Sequence, residues 1–171
     1  RGIPNPTDNT FMNGDVGGDC GNMAYVTGND ENIDPDFDDV DNGETQLSSP
    51  VMDLSSYSNP VLTFYMDFYC FHGPGEIDDT LNIIVSDGTI QMVDFIAPQS
   101  DEMQWSFYTL PVSGLDLSNI TISFLVSDLP GNPNITEAAL DLFRAQEFSS
   151  LNDQSFVEGF SIQPNPTIGE F

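Results

Sequence analysis

Residues 61–71, VLTFYMDFYCF, constrain the fold more than any other stretch, because their side chains alternate between two chemical classes. Successive side chains of a β-strand point to opposite faces, so this alternation predicts a strand with one face in a core. The predicted core face consists of Leu62, Phe64, Met66, Phe68 and Cys70. The opposite face is polar and aromatic and consists of Thr63, Tyr65, Asp67, Tyr69 and Phe71.

Strand-like segments recur along the chain and are separated by turns rich in Gly, Pro and Asn. No segment shows a sustained helical period. The further predicted strands are residues 22–27, 45–54, 79–86, 90–96, 105–110, 120–127 and 138–144. Short strands at spacings of about ten residues predict an all-β fold, a jelly-roll β-sandwich of two antiparallel sheets.

The charge of the chain limits its partners. The sequence has 28 acidic residues and two basic ones, Arg1 and Arg144, for a net charge of −26. Such a chain repels nucleic acid and anionic lipid, so we expect neither as a partner. We also expect no membrane insertion, because no stretch is long and apolar enough to cross a bilayer.

A loop before the long strand is crowded with carboxylates: residues 28–44 contain eight acids. Calcium takes about six to eight oxygen ligands, and the loop that holds Asp39, Asp41 and Glu44 is bent at Asn42-Gly43. We therefore predict a calcium site here. Magnesium fits less well because it demands tighter octahedral geometry, and a solvated acidic loop is the alternative. The spacing is not that of an EF-hand, since Val40 would take the third ligand position.

The cysteines and the histidine give little support to catalysis or to zinc. Cys20 and Cys70 are the right number for one disulfide, with two buried thiols as the alternative. A zinc site built from these cysteines and His72 would lack a fourth ligand. His72 is the only histidine and no GxSxG motif is present, so we predict that the protein is not an enzyme. In a chain this acidic, a pair of carboxylates is no evidence for glycoside hydrolysis.

The polar-aromatic face of the long strand is the candidate ligand site. Tyr65, Asp67 and Tyr69 would lie side by side on an open sheet face, where the rings could stack on a sugar and the carboxylate could bind its hydroxyl groups. The alternative is that this face packs against a partner or the second sheet.

An ordered series of motifs resembles the jelly-roll modules of secreted Bacteroidetes proteins, which are akin to MAM and cleaved-adhesin domains. The motifs are DDVDNGETQLSSPVMDLSSYSNPVLTFYMDF, then DDTLNIIVSDG, then ISFLVSD followed by ITEAALDLF. The resemblance implies a module that holds a structural calcium and lacks catalysis of its own. It also implies that Glu137 and Asp141 complete the calcium shell. The usual acidic doublet of the last strand is Asp141-Leu142 here, so one acid remains.

The last residues, PNPTIGEF, resemble the start of the C-terminal sorting domain used in type IX secretion. We accordingly predict a jelly-roll module over residues 1–147, a linker over 148–160 and the beginning of a sorting domain over 161–171. The predicted protein is secreted or held at the cell surface, where it recognises a glycan or a protein. The alternative is a structural subunit that self-assembles as a homo-oligomer, filament or layer.

Overall fold

The computed structural model describes residues 14–18, 21–27, 39–72, 79–96, 104–130 and 134–148. Within these ranges the chain forms β-strands and no helix. In chain order the strands are β1 (Tyr25–Val26), β2 (Glu44–Ser48), β3 (Pro60–His72), β4 (Thr80–Ser86), β5 (Gln91–Ile96), β6 (Ser106–Pro111), β7 (Thr121–Ser127) and β8 (Asn134–Glu147).

The strands form two four-stranded sheets. Sheet I has the order β1-β8-β3-β6, and sheet II has the order β2-β7-β4-β5. Every strand pair is antiparallel. Two facing sheets of eight strands, with the last strands inserted beside the first, form a jelly roll. The predicted fold class is therefore confirmed.

The predicted core face of β3 is also confirmed, since its five members are almost fully buried between the sheets. Phe64 lies at the centre of this core, where its ring meets the Phe124 ring of sheet II edge-on at a centroid distance of 5.2 Å. Alternate residues of β7, including Ile122 and Val126, face the same core. The core thus fixes which side of each strand of sheet I is left for other contacts.

The observed strands differ in length from the predicted ones where pairing with a neighbouring strand sets their ends. β8 begins four residues before the predicted segment and ends three residues after it, because β3 pairs with it along almost its whole length. The pairing is interrupted by an irregularity between Thr63 and Tyr65, and Leu142 on the opposite strand has a positive φ of 51°. β2 is shorter than predicted, and Met52 beyond it forms an isolated bridge with Ile120.

The predicted linker and sorting segment begin at the end of the described ranges, so they stay predictions. The described part of the chain contains no helix with the length and apolar character needed to span a membrane.

Candidate functional site

The outer face of sheet I, which points away from sheet II, carries most of the residues that the sequence nominates. In the register of β3 and β8, Tyr65 lies opposite Asp141 and Tyr69 lies opposite Glu137. Asp67 lies between the two tyrosines and pairs with Ala139. Glu137 and Asp141 therefore share one face of β8, as their spacing of four residues predicts.

Part of this face is covered by the N-terminal part of the chain, and we call residues 14–18 and 21–27, which include the edge strand β1, the cover segment. The backbone N–H of Val16 donates to Asp141 Oδ2 at 3.1 Å, and the Thr27 hydroxyl donates to Glu137 Oε2. At the other side of β3, the indole N–H of Trp105 donates to the carbonyl of Gly14 at 3.2 Å. Since β3 lies between β8 and β6, the cover segment crosses the outer face of β3.

Two of the three predicted ligand-binding residues are buried. Asp67 is 2% exposed and Tyr69 is 8% exposed, whereas Tyr65 is only partly buried. Asp67 and Tyr69 are thus placed inside the protein, where a ligand in solution does not reach them. Glu137 and Asp141 are also buried, and the cover segment bonds to both. The alternative that this face packs on the second sheet is wrong, because the face points away from sheet II.

Burial changes the acidity of the covered side chains. Loss of solvent raises the pKa of Asp67 from 3.8 to about 7, against the opposing effect of hydrogen bonds from the backbone N–H groups of Gln104 and Phe68. One carboxylate oxygen of Asp67 is buried without a hydrogen bond. The pKa of Tyr69 is also raised, mainly by burial and further by the nearby Cys70 and Asp67. The covered half therefore favours a neutral Asp67.

Beyond the cover segment, the outer face of sheet I opens into a groove of about 400 Å³. We call it the outer groove, and it is lined by Thr63, Tyr65, Phe107, Thr109, Leu142, Arg144, Gln146 and Phe148. The rings of Tyr65 and Phe107 pack at a centroid distance of 5.1 Å with their planes tilted by 51°. Phe107 is 58% exposed and Phe148 is 47% exposed, so the groove presents aromatic surface to solvent.

Polar groups sit beside these rings. Thr63 faces Thr109 on β6 and Arg144 on β8, so the three strands bring two hydroxyls and a guanidinium to the same level of the sheet. The Arg144 Nη2 donates to the carbonyl of Gly18 at 3.3 Å, which ties the edge of the groove to the cover segment. Sequence reasoning found Tyr65 but missed Phe107, Arg144 and Phe148. The alternation of β6 and β8 would have found them, once the pairing with β3 was known.

The predicted calcium ligands have different hydrogen-bond partners and neighbours. Asp39 Oδ2 accepts from the backbone N–H of Thr136 at 3.2 Å, at the start of β8. Glu44 opens β2 in sheet II and accepts from the Ser127 hydroxyl at 3.1 Å. Asp41 lies near Asp128, which follows β7. Glu137 and Asp141 instead lie on the outer face of sheet I.

The calcium site proposed for these five carboxylates stays a prediction. Within the described ranges, no group of three or more His, Cys, Asp or Glu side chains is arranged to hold a metal ion. The remaining acids of the crowded loop, between residues 30 and 38, lie outside the described residues.

A polar cluster that the sequence analysis did not single out closes one end of the core. Asp79 Oδ2 accepts from the Thr136 hydroxyl at 2.6 Å and from the Cys70 thiol at 2.8 Å. Burial, together with a hydrogen bond to Asp79, raises the pKa of Asp128. The signal was present in the sequence, because Asp79 immediately precedes β4 and Asp128 immediately follows β7, its antiparallel neighbour.

Cys70 belongs to this cluster as a buried thiol whose pKa burial raises to about 12. Cys20, the predicted disulfide partner, lies outside the described residues. The disulfide is not shown and stays a prediction. The raised pKa favours the protonated thiol at neutral pH.

No protein-family model matches this chain, and a search of curated proteins finds no similar sequence.

Proposed function

We propose that this protein is a non-catalytic binding module that recognises a glycan at the outer groove of sheet I. The observation that carries the proposal is the packed pair of rings, Tyr65 and the exposed Phe107, in a groove with polar groups beside it. Sheet strands hold each of these side chains, so the surface is formed before a ligand arrives.

The composition of the groove suits a sugar. A pyranose ring has an apolar face, which packs on aromatic rings, and a rim of hydroxyl groups, which need hydrogen-bond partners. Thr109, Gln146 and Arg144 supply such partners around the rings, whereas Thr63 is only 4% exposed. The volume falls within the range of about 300–1,000 Å³ that is usual for small-molecule sites.

The proposed location is outside the cell or at the cell surface. It rests on the resemblance of the chain to secreted jelly-roll modules and of residues 164–171 to the start of a type IX sorting domain. Export would also account for an acidic surface that disfavours nucleic acid.

A glycan array followed by calorimetric titration tests the proposal. We expect the protein to bind at least one class of oligosaccharide, and Tyr65→Ala and Phe107→Ala to weaken that binding by about tenfold or more through lost stacking. Phe95→Ala is the matched control, because Phe95 is 53% exposed on the edge strand of sheet II, outside the groove. The proposal fails if no glycan binds, or if the control weakens binding as much as the groove variants do.

Self-assembly is the second candidate, and strand β5 is the observation that favours it. β5 is an edge strand of sheet II, and Val93 and Phe95 on it are both more than half exposed. An apolar edge strand offers unpaired backbone groups and exposed apolar side chains to another strand. We propose this edge as the contact if the protein forms a filament or layer.

Size-exclusion chromatography and electron microscopy, with and without calcium, separate the two candidates. Large regular particles that Val93→Lys abolishes would support assembly through β5. A monomer under both conditions that still binds a glycan would support the first candidate alone.

Calcium stabilisation is proposed from the sequence, because crowded acids repel one another unless a cation neutralises them. We expect a chelator to lower the melting temperature, since an ion that binds only the folded state stabilises it. Asp41→Ala and Asp141→Ala should each reduce the difference in melting temperature between samples with calcium and samples with chelator. Asp141→Ala also loses a contact to the cover segment, so the readout is that difference and not the melting temperature itself. If both variants respond to the chelator as the parent does, the ligand assignment is wrong.

A further inference from the structure

The outer groove contains the only positively charged Lys or Arg side chain of the described residues. The whole sequence has two basic residues, Arg1 and Arg144, against 28 acidic ones. Arg144 lies on β8 and lines the groove beside Tyr65 and Phe107. A single guanidinium next to an aromatic floor marks one position where this acidic surface can accept a negative charge.

The acids nearest to Arg144 along β8 are already bonded to backbone groups. Glu147 accepts from the N–H of Ser58 at 2.7 Å and from the N–H of Asn59 at 3.0 Å. Asp141 accepts from the N–H groups of Val16 and Leu142. These bonds hold both carboxylates in contacts that do not involve the guanidinium.

The guanidinium also has donors to spare. One of its N–H groups reaches the carbonyl of Gly18 at 3.3 Å. Arginine presents several N–H donors in a planar fork, and that fork matches the two oxygens of a carboxylate. Arg144 is exposed, so a ligand in the groove can approach the remaining donors.

We propose that the outer groove selects a sugar that carries one carboxylate, a uronic acid, with its ring on Tyr65 and Phe107 and its carboxylate on Arg144. This inference rests on the proposed glycan-binding function and names the class of ligand. The carboxylate supplies the charge complement that a neutral sugar lacks.

The net charge of −26 limits the ligand to one acidic group at this position. Charges beyond the reach of Arg144 would meet a surface rich in carboxylates. At physiological salt, charges are screened from one another only beyond about 8 Å. The further carboxylates of a short polyuronate would therefore still be repelled by nearby acids of the protein. A single uronate at one end of a neutral oligosaccharide avoids this repulsion.

Calorimetric titration with two matched disaccharides tests the inference. The probes are cellobiose and the same disaccharide with glucuronic acid as its non-reducing residue. We expect the acidic disaccharide to bind at least about tenfold more tightly, as a charged hydrogen-bonded pair allows. Arg144→Gln should reduce this ratio to about one, and Arg144→Lys should keep part of it, because lysine retains the charge without the fork.

Arg1→Gln is the matched control, since it removes the same charge from the chain. We expect it to preserve the preference for the acidic disaccharide. Equal affinity for the two probes, or equal loss of the preference in Arg1→Gln and Arg144→Gln, would overturn the inference and leave the glycan-binding function intact. A diglucuronate that binds more tightly than the single uronate would overturn the restriction to one acid. If the groove variants Tyr65→Ala and Phe107→Ala bind every glycan as the parent does, the proposed function itself fails.

Discussion

The outer face of sheet I has two halves that share the same strands and differ in what lies over them. In the covered half, Asp67, Glu137 and Asp141 are buried, and the cover segment bonds to the last two. In the open half, the same β3 and β8 present Tyr65 and Arg144 to a groove. One half uses carboxylates to bind the chain to itself, and the other leaves rings and hydroxyls exposed.

This difference shows what the alternation of side chains along a strand can establish. Alternation along β3 tells which side chains leave the core, and that assignment is correct for Tyr65, Asp67 and Tyr69. It does not tell whether a distant segment then covers them. Asp67 accepts a hydrogen bond from the backbone of Gln104, which lies almost forty positions further along the chain. Whether residues on such a face can bind a ligand depends on where the covering chain ends as much as on the strand that carries them.

The largest effect is expected from Asp67→Asn. The pKa of Asp67 is raised from 3.8 to about 7 by burial, so the folded protein holds a proton that the unfolded chain releases. The free energy of unfolding therefore falls as pH rises from about 4 to about 7. The difference between the two pKa values of Asp67 corresponds to a loss of at most roughly 4 kcal/mol. Asparagine stays neutral, so the variant should match the parent near pH 4 and exceed its free energy of unfolding at pH 8.

Urea denaturation at the two pH values, in the presence of a chelator, measures this effect. Asp94→Asn on β5 is the control, because Asp94 is exposed and its replacement should change stability by less than about 0.5 kcal/mol. A variant that is less stable than the parent at pH 8 would show that the charged form of Asp67 is needed in the covered half.

A smaller effect is expected from Asp141→Ala, which detaches the cover segment from β8. The substitution removes the acceptor of the Val16 N–H and of the Leu142 N–H, and a hydrogen bond to a charged group is worth about 1–3 kcal/mol. We expect a loss of that size in the free energy of unfolding and faster amide exchange at residues 14–18. Gln146→Ala, on the same strand in the open half, should leave amide exchange of the cover segment unchanged. Equal exchange in the two variants would mean that the cover does not depend on Asp141.

The fold could be predicted from the sequence because its causes are local. Turn residues separate the strands, and the apolar alternation of β3 and β7 marks the face that the two sheets bury. Strand ends were less predictable, since the extent of β8 follows from its partner β3. The candidate site was only half predictable for the same reason. Tyr65 could be found from its own strand, whereas Phe107 and Arg144 join it through strand pairing.

The predicted calcium ligands stay a prediction, and their hydrogen bonds show what sequence spacing leaves open. A crowded acidic loop suggests one shared ion, yet Asp39 and Glu44 each accept a hydrogen bond from a different sheet. A carboxylate can be satisfied by a backbone N–H or a hydroxyl as well as by a cation. Sequence spacing does not distinguish these partners, because the donors come from β7 and β8, far along the chain.

The smallest effect is expected near β6, where one aromatic residue belongs to the covered half and another to the open half. Trp105 and Phe107 both lie on the outer side of sheet I, but the indole N–H of Trp105 donates to Gly14 in the cover segment, while Phe107 is exposed in the groove. Trp105→Phe keeps an aromatic ring and removes this hydrogen bond, so we expect a loss of about 1 kcal/mol in denaturant unfolding. Phe107→Ala should change stability by less than about 0.5 kcal/mol, because its ring is largely solvated. If the exposed phenylalanine proved the more costly of the two to replace, the groove would be a packed surface, and its aromatic floor would contribute to folding more than to recognition.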